Sequence, residues 1–341
     1  MRNNLWGQET KLFNQLTPEQ IMEVAEIFGS RLTGKVLPLN SIENRVYEVE
    51  LASSHDFGPG FSSLHLIIKF YRPGRWSKEQ LLDEHRFLLS LNEYEVPVVA
   101  PLSLGEKEES LFFDENTQLY FALFPKLQGR LKDELLQDEI EQAGRLIGRI
   151  HNIGSHGTFQ HRLKFHPELF IQGAKSNLIE SQVIESESLK HYLDLLDPLT
   201  QLTTPLIERL PIQKIHGDFH RGNIVWTSHG PVAVDFDDIL NGPIEQDLWL
   251  LFPGTDPDSL KDRERFLQAY CEMTRKDYVS LRYLEVFRTM RMVHFNGWIA
   301  KRWSDHSFQQ LFPQFTSANY WDQQLIDLRV QISAIQDINY Y

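Results

Sequence analysis

One stretch constrains this chain more than any other: Ile215-His216-Gly217-Asp218-Phe219-His220-Arg221-Gly222-Asn223-Ile224-Val225-Trp226, followed by Val232-Ala233-Val234-Asp235-Phe236-Asp237-Asp238. Trp226 and Val232 bound a polar turn, Thr227-Ser228-His229-Gly230-Pro231, between two runs of strand composition, so the spacing predicts a β-hairpin. Pairing Trp226 with Val232 sets Ile224 opposite Val234 and Asn223 opposite Asp235, with Cβ atoms about 5 Å apart. Asp218 precedes Asn223 in a glycine-punctuated loop that can curl back to the same end of the hairpin. Three oxygen-bearing side chains then converge. Mg²⁺ selects such oxygens and is typically held by one or two of them together with substrate phosphates. The remaining carboxylate is left to act as a base, and the stretch reads as a phosphoryl-transfer centre.

The spacing follows the protein-kinase pattern H-R-D-x-x-x-x-N with a further Asp after a short hairpin. Gly217 stands where that pattern has Arg, and His220 lies two after the Asp, which resembles the aminoglycoside-phosphotransferase and choline-kinase side of the superfamily. Within that group four strings resemble the bacterial stress response kinase A family. They are Asn40-Ser41-Ile42-Glu43-Asn44-Arg45-Val46-Tyr47, Lys69-Phe70-Tyr71-Arg72-Pro73, Phe219-His220-Arg221-Gly222-Asn223, and Asn241-Gly242-Pro243 with Gln246-Asp247-Leu248-Trp249. The resemblance runs through nearly the whole chain. It implies an α+β, bilobal, protein-kinase-like fold of the aminoglycoside phosphotransferase type, with a small sheet-rich N-lobe and a larger helical C-lobe. It implies ATP as co-substrate with Mg²⁺ on Asn223 and Asp235, Asp218 as the catalytic base beside Asp235, and Ser or Thr hydroxyls of proteins as acceptors, the enzyme itself included, in a bacterial stress response. The loop at Asn40 to Asn44 lies where kinases cover the phosphates but lacks their glycines, and the family string makes Ser41 the candidate phosphate contact.

Other readings compete for the central stretch. His216, Asp218 and His220 form H-x-D-x-H, a spacing that can hold a hydrolase metal. A plain surface hairpin with exposed carboxylates is the other. Asp218, Asn223 and Asp235 together at kinase spacing weigh against both. A small-alcohol kinase of the aminoglycoside, choline or homoserine type would use the same centre, and an acidic C-lobe would suit a cationic substrate.

The chain has 341 residues, enough for two lobes around a cleft. Its formal charge of -13 argues against nucleic-acid or anionic-membrane binding, which wants a basic patch. Nucleotides are held locally, by backbone amides and one or two cations, so acidity does not exclude ATP. The single cysteine, Cys271, cannot form an intramolecular disulfide, and the N-terminus shows no signal core or membrane-spanning run. A cytoplasmic monomer is the expectation.

Residues 1 to 35 have helical pattern, with a start signal at Thr17-Pro18-Glu19-Gln20 and a stop at Gly29. Leu37 to Glu50 reads as two strands around the Asn40 loop. Lys69 interrupts the apolar run Ile67-Ile68-Lys69-Phe70, a costly placement unless it meets an anion. Ser77 and Gln80 form a capping box that starts a helix on which Glu84 falls in the apolar stripe with Leu81, His85 and Leu88. Two misplaced charges make sense as one pair, Lys69 on the α/β-phosphates and Glu84 positioning it, as kinases require. Tyr120 to Arg130 reads as a last strand running into a hinge, which puts the N-lobe at 1–126 and the C-lobe at 127–341. Leu136 to Ile150 continue as a helix stopping at Gly154. His151, His156, His161 and His166 share no face and read as surface or capping residues. Asp247 reads as a helix-start carboxylate supporting the catalytic loop; Arg288, Arg291, Lys301 and Arg302 are candidates for substrate contact, with solvent exposure or pairing with carboxylates the preferred reading.

Overall fold

The computed structural model describes residues 16–338, so the helical pattern expected for residues 1 to 35 is tested only from residue 16 onward. Helix α1 (Pro18–Ala25) starts at the expected signal, where Thr17 and Gln20 form a capping box, and ends in a tight turn at Gly29, whose φ is 81°. A five-stranded antiparallel sheet follows in the order β1-β2-β3-β5-β4: β1 (Leu32–Leu39), β2 (Arg45–Leu51), β3 (Phe61–Phe70), β4 (Phe112–Asp114) and β5 (Leu119–Leu127). Between β3 and β4 runs α2 (Lys78–Glu93), capped by Ser77 and Gln80 as expected.

The period-2 alternation of the central strands sorts their side chains onto two faces. Leu66, Ile68 and Phe70 of β3 join Leu119, Phe121 and Leu123 of β5 under α1. The opposite face carries Ile67, Ala122 and Phe124, and these pack with Leu81, Phe87, Leu88 and Leu91 of α2. Lys69 alternates onto that second face, opposite Val46 and Ala122, and so looks toward α2 and the cleft.

The C-terminal part is mostly helical. Helix α3 (Gln137–Gly154) lies against α8 (Pro257–Thr274), with Ile140, Ala143, Ile147 and Ile150 at or near zero exposure. Each such isoleucine contributes roughly 1.5–3 kcal/mol by leaving water. A second core is built by α4 (Gly173–Ser181), α5 (Glu187–Asp194), α6 (Leu196–Ile207), α9 (Leu284–Arg302) and α11 (Ala318–Ile338), around Tyr192, Phe287 and Trp321. Strand β6 (Gln213–Ile215) pairs with β9 (Leu240–Gly242), and β7 (Ile224–Thr227) with β8 (Gly230–Ala233); α7 (Glu245–Leu248) and α10 (His306–Leu311) complete the helices named here. Among the described residues, no helix is long and apolar enough to cross a membrane.

The hairpin forms one residue out of the expected register. Ile224 pairs with Ala233, Val225 with Val232 and Trp226 with Pro231, and the strands close through Thr227 and Gly230. The reason is local: Gly230 takes φ 111°, and Thr227 Oγ1 accepts from His229 N and donates to Gly230 O, which makes a turn with only Ser228 and His229 at its tip.

Candidate active site

The β6–β7 connection is pinned from below by one buried carboxylate. Asp247 Oδ2 accepts from His216 N and Oδ1 from Gly217 N, each at 2.8 Å, and Oδ2 also meets His151 Nε2 at 3.0 Å. Gln246 Nε2 adds a bond to Gly217 O at 3.0 Å. Gly217 sits at φ 86°, and a Cβ there would run into Asp238 O, so this position excludes the Arg of the protein-kinase motif on steric grounds. Asp247 supports the loop as expected. His151, expected at the surface, is instead 2% exposed, held between Asp247 and Tyr270.

The loop then folds over itself. Asn223 Nδ2 donates to Asp218 O at 2.9 Å, and Val234 N donates to Asn223 O at 3.0 Å, which brings Asp218, Asn223 and Asp235 to one end of the hairpin despite the shifted register. Asp235 leaves the strand in the left-handed region, φ 60°, so its carboxylate turns into the cleft. His216 Nε2 is spent on Val234 O and its Nδ1 on Asp218 N, so the H-x-D-x-H string offers no open imidazole at its first position.

Lys69 Nζ reaches Glu84 Oε1 at 3.1 Å, as expected from the two misplaced charges. Its second partner is Asp237 Oδ1, which the sequence reading left unassigned. Burial alone would lower the lysine's pKa, but Asp237 and then Glu84 outweigh it and keep the ammonium charged. Arg162, wholly buried, donates to Glu84 Oε2 at 2.7 Å and to Asp237 O at 2.6 Å; Arg75 reaches Asp237 Oδ2 at 3.1 Å and Asp238 Oδ1 at 2.7 Å. Three cations, Lys69, Arg75 and Arg162, thus meet three carboxylates, Glu84, Asp237 and Asp238. Asp235 is the surplus acid. Among the described residues no side-chain donor reaches it, and burial and then the charge of Asp237 push its pKa up.

Asp218 is the opposite case. Burial works to raise its pKa, but the hydrogen bond from His220 and then the charge of Arg291 hold it far below the usual carboxylate range. Arg291 NH1 lies 2.6 Å from Oδ1, and His220 Nε2 lies 3.4 Å from Oδ2. Of the expected alternatives Arg291 takes the pairing with a carboxylate, and its partner Asp218 lies 73 residues away, where no local pattern marks it.

The loop between β1 and β2 is fixed by polar bonds rather than left free. Asn44 Nδ2 donates to Asp237 Oδ2, while Glu43 accepts from Trp298 and Arg302 of α9 and faces Arg72 Nε at 3.2 Å. Ser41 lies in this loop, half-buried. The signal for Glu43 and Asn44 was present in the family string, although no pairing could be read from it.

A family model described as the phosphotransferase enzyme family matches residues 35–284. Stress response kinase A of Escherichia coli (strain K12) is 33% identical over 326 residues, covering 95% of each chain. The chain belongs to the stress response kinase A family. A further member, the serine/threonine protein kinase RdoA of Salmonella typhimurium, is 33% identical over 313 residues, 92% of this chain and 91% of its own. Among solved structures, amicoumacin kinase hAmiN in complex with AMP-PNP, Ca²⁺ and Ami superposes with a TM-score of 0.69 at 16% identity, over 93% of this chain and 96% of that one. Choline kinase LicA from Streptococcus pneumoniae gives 0.62 at 15% identity, over 91% and 99%. The bilobal α+β fold expected from the motifs is the one this stress response kinase A family member has, and its chemistry is phosphoryl transfer.

Proposed function

We propose that the protein transfers the γ-phosphoryl group of ATP to Ser and Thr hydroxyls of proteins, itself included. The observation that carries this reading is the convergence of Asp218, Asn223 and Asp235 on one loop end, opposite a lysine held charged by Glu84 and Asp237. The acceptor class is drawn from the relatives' names, stress response kinase A and serine/threonine protein kinase RdoA.

Asp218, unprotonated well below neutral pH, accepts a hydrogen bond from the acceptor hydroxyl, orients its oxygen on the γ-phosphorus and takes its proton as the P–O bond to ADP breaks. Lys69 holds the α/β-phosphates, and Ser41 with the backbone N–H groups of its loop covers them. Mg²⁺ fits the residues present. Among the described residues no three His, Cys, Asp or Glu side chains form a cage of their own, whereas Asn223 and the uncompensated Asp235 give a two-oxygen set that suits an ion retaining phosphates and waters. When bound it neutralises charge on the transferring phosphates.

Radiolabelled ATP, given first with the enzyme alone, then with generic proteins, then with small alcohols, tests this reading. Label in the enzyme and in protein, dependent on Asp218, is expected. The second reading is a small-alcohol kinase, favoured by the likeness to amicoumacin kinase and choline kinase structures, and label confined to small alcohols would establish it.

A further inference from the structure

Among the described residues, three carboxylates at and around the base, Asp235 apart, already face a cation. Asp218 has Arg291 at 2.6 Å, Asp238 has Arg75 at 2.7 Å, and Glu43 has Arg302 at 3.1 Å. His220 stands beside the base at 3.4 Å. An ammonium-bearing acceptor would compete with these cations for their carboxylates, whereas an anionic one needs only one of the cations to turn from its partner.

Arg291 is the adjustable one among those cations. Its side chain is 39% exposed, and among the described residues Asp218 is the one hydrogen-bond partner of its guanidinium. Arg72 and Arg162, by contrast, are buried, each held by several acceptors. A hydroxyl that docks on Asp218 through Oδ1 displaces Arg291 from that oxygen. The displaced guanidinium then needs another anion within the reach of its side chain.

We propose that Arg291 is a specificity-determining residue that turns from Asp218 to an acidic group flanking the acceptor hydroxyl, so that the enzyme selects Ser or Thr next to Glu, Asp or a phosphorylated residue. In an extended acceptor the neighbouring residue is about 3.5 Å further along the chain, within that reach. This rests on the protein-acceptor reading above. The bond changes are those already given: the hydroxyl oxygen bonds to the γ-phosphorus, the bond to ADP breaks, and the proton passes to Asp218.

The test uses the full-length enzyme with radiolabelled ATP and matched serine peptides flanked by Glu, Gln or Lys, together with glycerate as a small anionic alcohol and choline as a cationic one. The wild type should favour the Glu-flanked over the Gln-flanked peptide by about tenfold in kcat/KM, the scale of one partly exposed charge-assisted contact. Arg291→Gln should erase this preference, the Glu-flanked peptide losing about tenfold more in kcat/KM than the Gln-flanked one through its KM, and Arg291→Glu should turn it toward the Lys-flanked one. Nucleotide binding and melting temperature report folding of both variants. A uniform fall in kcat for all peptides would assign Arg291 to the transferring phosphoryl group and overturn the proposal, as would a wild type indifferent to flanking charge or one that prefers choline. Arg291-dependent phosphorylation of glycerate with no labelled peptide would uphold the anion site and overturn the protein-acceptor reading.

Discussion

Arg302 grips Glu43 on both carboxylate oxygens, Nε reaching Oε1 and NH2 reaching Oε2, each at 3.1 Å. Trp298, one turn earlier on α9, donates to Oε1 as well, and Arg72 supports the loop carbonyls of Glu43 at 2.7 Å and Ile42 at 3.1 Å. The β1–β2 loop, which stands where protein kinases have a glycine-rich flap, is here tied to helix α9.

This tie is sensitive to acid. Burial would raise the Glu43 pKa, but Arg75, Arg302 and Arg72 lower it from 4.5 to about 2. A depressed carboxyl stabilises the fold above its unfolded value and loses that contribution as pH falls through the folded one, so the window runs from 4.5 down to about 2. The shift corresponds to something on the order of 3 kcal/mol. Urea midpoints of Glu43→Gln and wild type should therefore differ equally at pH 7 and pH 5.5 and draw together below pH 4.5. A gap independent of pH would show that the carboxylate charge is not what holds the loop.

Asp218→Asn keeps the shape of the loop and removes the proton acceptor. Turnover should fall by roughly 10² to 10⁴ with nucleotide affinity little changed. Single-turnover rates and equilibrium ATP binding, measured side by side, decide it; turnover within a few-fold of the parent removes Asp218 from the role.

Asp235→Asn should abolish Mg²⁺-dependent ATP binding and transfer. It should leave the apo protein no less stable, because the carboxylate it removes is the surplus charge of the cluster. Calorimetric titration with Mg²⁺-ATP checks the first point and thermal melting the second. Activity restored by Zn²⁺ after Mg²⁺ chelation, and lost in His220→Ala, would instead favour a hydrolase.

Lys69→Met should cost most of the activity, and Glu84→Gln less, because Asp237 still holds the lysine. Glu84→Gln also strips Arg162 of its buried partner, so its denaturant midpoint should fall, by an amount of the order of 3–5 kcal/mol for a broken buried pair. The double mutant should be better than the sum of the single losses, by ATP turnover and by denaturation. Additive losses would mean that the two charges act separately.

The local signals carried much of this. The helix starts at Thr17 and Ser77, the strand alternation that turns Lys69 inward, and the helical stripe carrying Glu84 are each written within a few neighbouring residues, and each appears as expected. The hairpin register failed because it turned on the φ of one residue, Gly230, which composition does not reveal. Asp237, Arg162 and Arg291 escaped assignment for another reason. Their partners lie 168, 78 and 73 residues away, and no periodicity links such positions. His151 was misjudged because it was weighed with the other histidines and not with the buried stripe of its own helix, where it follows Ile147 by one turn and meets Asp247.

The placing of α2 has a consequence for how the chain is made. The apolar residues of this helix, Leu81, Phe87, Leu88 and Leu91, share one core with Ile140, Phe219, Ile224 and Phe266, all encoded later. Its Asp83 caps the backbone at His161 and Arg162, and its Glu84 takes Arg162. As the polypeptide leaves the ribosome, the sheet can close with α1 over Val49, Ile68 and Phe121 and with α2 over Ile67, Ala122 and Phe124, but Asp83 and the second carboxylate oxygen of Glu84 still lack their counterparts. The Lys69–Glu84 pair is therefore completed by Arg162 and Asp237 from later in the chain, and a nascent chain that ends before them holds the pair without the groups that fix its geometry.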